Sequence, residues 1–305
     1  MGSYEHAGLD GRTRLPLFPP SDTLILIRGA GDLATGAAWR LARAGFPVAM
    51  TELPVPTAVR LPVCFSSCIR NETVIIEGIM ARRASLAHLD QAWAWLAEGV
   101  IPVFVDPEGA SLSALQPIAV VDGRVAKHNI DTTIHDAPFV AALGPGFTAG
   151  IDCHAVIETN RGHHLGRVYW TGSAEADTGA PATVGGIRHD RVLRAPSEGH
   201  MVQLMVIGNR ARQGDRLARV GDVSLAAPFD GVVRGLIDDE TYVTIGLKIG
   251  DLDPRARREY CFTISDKSLA VGAGVVEAIL AAPSVRRMLQ GHFVQGKPKK
   301  DVFDA

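Results

Sequence analysis

Residues 23–34 read Thr-Leu-Ile-Leu-Ile-Arg-Gly-Ala-Gly-Asp-Leu-Ala, and this stretch decides the fold prediction. The apolar run of residues 24–27 predicts a buried parallel strand, because a strand covered on both faces lacks polar alternation. A glycine-rich turn follows, and then a helical pattern that Gly45 ends. Residues 46–51 predict a second strand that ends at Glu52. These residues therefore encode a strand–helix–strand unit.

Further alternation of strand and helix patterns extends this unit into a larger domain. Strands are predicted at 73–76, 100–105, 139–143 and 155–159, a helix at 86–96, and a hairpin at 118–125 with Asp122-Gly123 as its turn. Strands that alternate with helices form a mostly parallel sheet with both faces covered. We therefore predict a Rossmann-like α/β domain over residues 22–171, after a flexible leader at 1–21.

The glycine turn matches the pattern G-x-G-x-x-A directly after a strand. Gly29 permits the tight turn, Gly31 lets a phosphate approach the backbone, and Ala34 lets the helix pack close to the strand. Glu52 stands where a carboxylate commonly binds a ribose diol, which fits NAD better than NADP. A packing turn without a ligand is the alternative. The predicted cofactor-binding residues here are Gly29, Ala30, Gly31, Asp32, Leu33, Ala34 and Glu52.

A second glycine-rich loop follows the predicted strand at 139–143. Its backbone amides are expected to form an anion-binding nest, and a plain turn is an equal alternative. The residues predicted to bind cofactor are Gly144, Pro145 and Gly146. Polar residues cluster soon afterwards, and the catalytic candidates among them are Glu158, Arg161 and His163. No catalytic residue is assigned beyond these candidates.

Composition excludes several functional classes. The 305 residues carry a net charge of −2, so no nucleic-acid or membrane partner is expected. No signal peptide or transmembrane run is apparent, and four cysteines without a paired framework indicate a reducing, cytoplasmic location. Cys64 and Cys68 are expected to be buried thiols, and no metal site is predicted.

The C-terminal half contains an internal repeat with an offset of 32 residues. The segment Ala195–Gly199 resembles Ala227–Gly231. Two halves that cannot bury a core alone should pack together. This predicts a duplicated β module at 192–256, after a linker at 172–191, that resembles the biotinyl/lipoyl-type fold, or barrel-sandwich hybrid. The connection at 219–226 has no lysine, so no biotin or lipoyl attachment is expected.

Two further predictions concern the C-terminal part of the chain. The motif Lys248–Arg255 either ends the β module or turns its charges towards the crevice. Residues 265–280 predict a helix in which Gly272 and Gly274 imply close packing. We assign residues 257–290 to a C-terminal helical segment and 291–305 to a tail.

These motifs together resemble one family. The segments 26–34, 51–54, 144–147, 158–163 and 248–255 are similar to the YqeB-like proteins of the selenium-dependent molybdenum hydroxylase system, over residues 22–282. More distantly, the chain is similar to xanthine dehydrogenase accessory proteins. The resemblance implies an accessory role in the maturation of molybdenum hydroxylases. It implies a molybdenum hydroxylase apoenzyme or cofactor-maturation proteins as partners, and it shows no selenium chemistry.

Three functional hypotheses follow. The first is an accessory protein that binds molybdenum cofactor, or another anionic dinucleotide, in the crevice of the Rossmann-like domain. The second is an NAD-dependent oxidoreductase. The third is a non-catalytic scaffold with a vestigial nucleotide pocket. Whether a reaction is catalysed, and whether the chain forms a homo-oligomer, are left open.

Overall fold

The computed structural model describes residues 15–177, 179, 183–187 and 190–295. Within these residues, the first part of the chain contains nine strands that form one large sheet, a two-stranded accessory pair and five helices. In chain order these elements are α1 Pro20–Thr23, β1 Ile25–Arg28, α2 Asp32–Arg43, β2 Val48–Glu52, α3 Cys68–Asn71, β3 Thr73–Ile76, β4 Ile79–Ala84, α4 Leu89–Ala97, β5 Ile101–Val105, α5 Ser111–Leu115, β6 Ala119–Asp122, β7 Phe139–Leu143, β8 Thr148–Ala149, β9 Ala155–Ile157, β10 Val168–Tyr169 and β11 Gly172–Ser173.

The large sheet has nine strands in the order β10-β9-β7-β6-β1-β2-β5-β4-β3. The pairs from β9 to β4 run parallel, whereas β3 and β10 run antiparallel to their neighbours at the two edges. All four residues of β1 are buried, as its unbroken apolar run predicts. The glycine turn therefore leaves the centre of the sheet, where β1 lies between β2 and β6.

Each face of the sheet has its own apolar core. One face packs against α2 and the C-terminal helices α6 Asp266–Ala281 and α7 Pro283–Gln295. The other face is covered by α4 and α5, with Phe147 and Ala149 from the loop around β8. The predicted helices at 86–96 and 265–280 correspond to α4 and α6. The C-terminal helices thus complete the layer that α2 begins.

The β module follows in the second half of the chain. Its strands are β12 Val192–Arg194, β13 Gly199–Gln203, β14 Arg210–Ala211, β15 Arg216–Val220, β16 Val223–Ala226, β17 Gly231–Leu236, β18 Tyr242–Val243 and β19 Lys248–Asp253. They form two four-stranded antiparallel sheets, in the orders β12-β19-β17-β14 and β16-β15-β13-β18. The inward-facing side chains of both sheets form a third apolar core.

The predicted fold class, a Rossmann-like mostly parallel sheet joined to a barrel-sandwich hybrid, is wrong. The molecule has one large mixed sheet with antiparallel pairs at both edges, and three separate antiparallel sheets. The edge strand β3 was predicted at 73–76, but its antiparallel partner β4 was missed because Arg82 and Arg83 interrupt its apolar pattern, and the other edge strand, β10, was missed because it is only two residues long. The predicted hairpin at 118–125 is also wrong, since β6 pairs in parallel with both β1 and β7. The domain boundaries stay predictions.

Close packing between α2 and α6 confirms the interpretation of the helix glycines. A Cβ at Gly272 would lie 2.5 Å from the carbonyl oxygen of Gly36, and one at Gly274 would collide with the carbonyl oxygen of Gly166. Only glycine allows these backbones to approach so closely. The contact brings the N-termini of α2 and α6 side by side.

Within the described ranges, no single helix is long and apolar enough to cross a membrane. Taken together, α6 and the first part of α7 are long and apolar enough, but the two helices are bent by 68° at the break between them.

Candidate functional site

A cleft of about 550 Å³ opens where the large sheet, the β module and the N-terminus of α6 meet. Eight basic and five acidic residues line it, so its walls carry an excess of positive charge. Its lining includes Lys127, Lys248 and Lys267, which are all the lysines of the described part of the chain. The whole chain has a net charge of −2, so this concentration of cations is local. The basic lining residues are Arg60, Lys127, Arg161, Arg191, Arg234, Lys248, Arg255 and Lys267.

Two β-bulges direct side chains of the β module into this cleft. The register between β12 and β19 shifts so that Ile249 is an extra residue, which places Lys248 on the same face as Asp251. The register between β17 and β19 shifts in turn, and Arg234 is the extra residue there. Bulges bend a strand and redirect its side chains, and they are common next to active sites. Without them, strict alternation would turn Lys248 away from Asp251.

Most of the acidic groups in the cleft already have basic partners. Asp251 accepts a hydrogen bond from Arg191 at 3.0 Å, and Asp266 is bound by both terminal nitrogens of Arg161. Lys127 and Asp177 form an ion pair at 2.7 Å on the rim. Glu175 accepts a hydrogen bond from the Asn160 side-chain amide. The partner of Glu175 is a neutral amide, so its charge remains, and the walls as a whole keep eight basic against five acidic residues.

Asp32 is the acidic residue at the base of the cleft. Its two oxygens accept hydrogen bonds from Arg60 at 3.0 and 3.1 Å, and Oδ1 also accepts one from the Ser268 hydroxyl at 2.7 Å. Arg60 donates further bonds to the carbonyl oxygens of Tyr260 and Thr263. Arg60 thus joins α2 to the segment that leads into α6.

Lys248 and Lys267 remain without a hydrogen bond or ion pair to any described residue. Desolvation by the surrounding protein lowers the pKa of Lys248, and the positive charges of Arg191 and Arg234 act in the same direction against the attraction of Asp251. Desolvation also lowers the pKa of Lys267, with Arg161 as the next contribution. Lys248 nevertheless stays open to solvent through the cleft, and Lys267 is half-buried.

Several buried polar atoms around the cleft also lack partners. They are Nε of Arg60, Arg191 and Arg234, together with Oδ1 of Asp251. Arg234 itself approaches Asp251 and Asp253 only at 3.7 and 3.8 Å. Unpaired buried polar atoms are costly, and these four are covered by protein rather than exposed to the cleft.

The glycine turn that was predicted to hold a phosphate is occupied by the protein itself. The Glu52 carboxylate accepts hydrogen bonds from the backbone amides of Ala30 at 3.0 Å and Leu53 at 2.8 Å. Burial raises the pKa of this carboxyl despite those bonds. A Cβ at Gly29 would lie 3.1 Å from the Arg124 backbone, so the absence of a side chain at Gly29 lets the turn at Gly123-Arg124 pack against it. Gly31 borders open space, with no atom within 4 Å of a Cβ built there.

The other residues of the first turn divide between the cleft and the core. Asp32 and Leu33 line the cleft, whereas Ala34 is fully buried against Gly123. Although Arg28 and Asp32 flank the same turn, they do not form an ion pair with each other. It donates instead to Asp131 at 2.7 Å and to Thr132 at 3.1 Å, in a separate ionic cluster beside β6.

The second glycine loop serves mainly to bring chain segments together. A Cβ at Gly144 would lie 2.5 Å from the Thr159 hydroxyl oxygen, and one at Gly146 would lie 2.5 Å from the His128 backbone. Both glycines have positive φ angles that other residues rarely adopt. Pro145 between them lines the cleft.

The three catalytic candidates occupy different positions. Arg161 lines the cleft and pairs with Asp266. Glu158 is fully buried, and its two oxygens each accept a backbone amide at 2.7 Å, from Asn160 and Glu175. It therefore holds this loop in place. His163 is exposed, stands against His164 with ring centroids 5.0 Å apart, and does not line the cleft.

The cysteines are buried, as predicted for Cys64 and Cys68. Burial raises the pKa of Cys68 to about 12, so its thiol stays protonated. In the residues that the structure describes, no three His, Cys, Asp or Glu side chains are grouped so that they could hold a metal ion.

The sequence interpretation missed Arg60, Arg191, Arg234 and Lys267. Nothing in their local pattern marks them, because they come together only through contacts between distant segments. The motif Lys248–Arg255 did carry a signal, and its second interpretation is confirmed, since Lys248, Asp251 and Arg255 all line the cleft.

Comparison with known proteins gives one extensive sequence match. No protein-family model matches the chain. The "Uncharacterized protein YqeB" of Escherichia coli K12 is 44% identical over 265 residues, which is 87% of this chain and 49% of that protein. The chain is therefore similar to this curated relative along most of its own length, and it spans about half the length of that relative. The name of the relative says nothing about molybdenum or selenium.

Solved structures give weaker matches. A succinylglutamate desuccinylase from a Silicibacter species is 12% identical, with a TM-score of 0.24, over 76% of this chain and 84% of that one. An aspartoacylase family protein from Mesorhizobium loti is 10% identical, with a TM-score of 0.25, over 79% and 86%. A succinylglutamate desuccinylase/aspartoacylase from Rhodobacter sphaeroides is 17% identical, with a TM-score of 0.23, over 76% and 85%. Similarities this low carry no activity over to this chain.

The functions predicted from the sequence are wrong. In the glycine turn that both hypotheses used, the carboxylate of Glu52 binds the backbone amide of Ala30 at 3.0 Å, and Gly29 packs against the turn at Gly123-Arg124. The third hypothesis, a non-catalytic scaffold with a vestigial nucleotide pocket, is also wrong, because it assumed the same Rossmann-like fold. The expected cofactor, partner, oligomer and cellular location stay predictions.

Proposed function

We propose that the chain binds a small molecule with two or more negative charges in the cleft between the large sheet and the β module. The observation that carries this proposal is that Lys248 and Lys267 face the cleft without a partner among the described residues. Cations that line a cleft attract an anion more strongly than the same cations on an open surface. Two acidic side chains of the cleft, Asp251 and Asp266, are bound by Arg191 and Arg161, and the basic lining residues outnumber the acidic ones by eight to five.

The neighbourhood of the two lysines supports an anion as the missing counter-charge. The guanidinium groups of Arg191 and Arg234 also line the cleft, and the forked donors of arginine suit carboxylate and phosphate oxygens. The N-terminus of the sixteen-residue helix α6 adds a partial positive charge beside Lys267. With Lys248, these contributions come from four separate segments, which are β17, β19, α6 and the residue before β12.

The size and polarity of the cleft restrict the class of ligand. A volume of about 550 Å³ fits the range of about 300–1,000 Å³ typical of small-molecule sites. Charged and polar residues dominate its lining, and apolar residues such as Leu33 and Val184 are few. The site therefore suits a compact polyanion, such as a phosphate ester or a polycarboxylate, better than an extended apolar ligand.

Isothermal titration calorimetry with inorganic pyrophosphate and with citrate, at low ionic strength, tests this proposal. Losing one charged hydrogen-bond donor costs about 1.5–3 kcal/mol, so Lys267→Met should weaken binding by about 10- to 100-fold. Affinity should also fall with added salt. Arg43→Gln, which removes one positive charge outside the cleft, is the matched control and should bind as the parent protein does. An absence of binding to both probes, or equal binding by Lys267→Met, would overturn the proposal.

A further inference from the structure

We infer that Lys248 is a nucleophile that forms an imine with an anionic carbonyl compound, of the 2-oxo acid class, bound in the cleft. This inference rests on the proposed function, because it assigns the chemistry of the same site. It also identifies the carboxylate of the substrate as the negative charge that the cleft receives.

The placement of Lys248 is the first support. A β-bulge at the start of β19 turns this side chain into the cleft, where it remains open to solvent. The ammonium has no carboxylate partner among the described residues, although Asp251 lies on the same face. Arg191 binds Asp251 at 3.0 Å and so competes with Lys248 for it. The amine is thus accessible and has no ion pair that would further favour its protonated form.

The surrounding cations are the second support. Arg234 is aimed into the cleft by the neighbouring bulge, and Arg191 lines the same wall. A lysine that is desolvated beside other positive charges loses its proton more readily and becomes a nucleophile. Desolvation is the chief cause of the lowered pKa of Lys248, and Arg191 and Arg234 act in the same direction against the attraction of Asp251 and Asp32. The same arginines offer donors to a carboxylate next to the reacting carbonyl.

The step balances without an oxidant or a metal. The lone pair of neutral Nζ of Lys248 adds to the carbonyl carbon, and the carbonyl oxygen takes up a proton to give a carbinolamine. The nitrogen then forms its second bond to carbon as the oxygen leaves as water. The product is a protonated imine, whose positive charge lies close to the carboxylate of the same substrate. Hydrolysis reverses the sequence.

Reductive trapping tests this assignment on the full chain. The protein is incubated with oxaloacetate or 2-oxoglutarate, which each carry two carboxylates, sodium cyanoborohydride is added, and the adduct is located by peptide mass spectrometry. We expect a single reduced adduct on Lys248 at neutral pH. The other lysines, including those at 297, 299 and 300, should remain largely unmodified.

Two variants separate chemistry from binding. Lys248→Arg keeps a positive charge but has no nucleophilic amine, so it should lose the adduct. Arg43→Gln, outside the cleft, should keep both the adduct and anion binding in calorimetry. Binding of oxaloacetate or 2-oxoglutarate by the parent protein without an adduct on Lys248, or adducts spread evenly over all lysines, would overturn the nucleophile while leaving the proposed anion site intact. A chain that binds no anion at all would fail the proposed function itself.

Discussion

The contact between α2 and α6 predicts a large effect from adding one methyl group. An ideal Cβ at Gly272 would lie 2.5 Å from the Gly36 carbonyl oxygen and 2.8 Å from its carbon. Ordinary Cβ contacts begin at 3.4 Å, so Gly272→Ala requires the two helix backbones to separate by about 0.9 Å, the difference between 3.4 and 2.5 Å. Neither of these atoms is at the end of a flexible side chain, so the backbone itself must move.

The expected change in stability is the difference between two opposing effects. Overpacking a well-packed contact costs about 1–3 kcal/mol, and the rigid partners here favour the upper end. Replacing glycine by alanine inside a helix returns about 1 kcal/mol. We therefore expect Gly272→Ala to lower the free energy of unfolding by about 2 kcal/mol.

Equilibrium urea unfolding followed by circular dichroism measures this change. Gly162→Ala is the control, since no atom lies within 4 Å of a Cβ built at Gly162, and it should change the free energy by less than about 0.5 kcal/mol. If Gly272→Ala is as stable as the parent protein or more stable, the packing argument is refuted.

Three further predictions concern the turn and the rim of the cleft. Gly31→Ala should leave stability within about 0.5 kcal/mol, because Gly31 has extended backbone and open space around it; a larger loss in urea unfolding would show a contact that the structure lacks. Glu52 has a raised pKa, so its contribution to stability should increase as pH falls through that pKa, and Glu52→Gln should remove this increase from urea midpoints compared from pH 7 to 4.5. Asp266 has its pKa lowered to about 2, chiefly by the hydrogen bond from Arg161, so its stabilising contribution is complete above the ordinary value of 3.8 and is lost as pH falls towards 2. Asp266→Asn should therefore be less stable than the parent protein at pH 7, with the difference vanishing near pH 2; a constant difference across this range would contradict the ion pair.

Local patterns predicted the elements near the glycine turn well. The apolar run at 24–27 is a fully buried strand, and the helix that follows packs as α2. The periodic stretch 265–280 is a helix within one residue of the predicted bounds, and its interior glycines do mark a close approach. These successes share a cause, because each pattern is set by burial over a short and regular segment.

The ligand site could not be predicted in the same way. A strand–turn–helix with glycines at fixed positions specifies backbone geometry, but it does not say what fills the turn. Here the carboxylate of Glu52 fills it, at 3.0 Å from the Ala30 amide. The cleft instead depends on two bulges, which shift the side-chain alternation by one residue at Arg234 and Lys248. Alternation read from sequence assumes regular pairing, so it places these two side chains wrongly.

The central claim is that a polyanion occupies the cleft beside Lys248 and Lys267. A crystal structure of the protein soaked in sodium tungstate tests it most directly, because tungstate is a compact dianion whose anomalous scattering locates it without ambiguity. We expect the strongest anomalous peak inside the cleft, within hydrogen-bond distance of Nζ of Lys248 or Lys267, and its loss in the Lys248→Met, Lys267→Met double variant. An empty cleft with peaks only on the outer surface, or an unchanged peak in the double variant, would contradict the account.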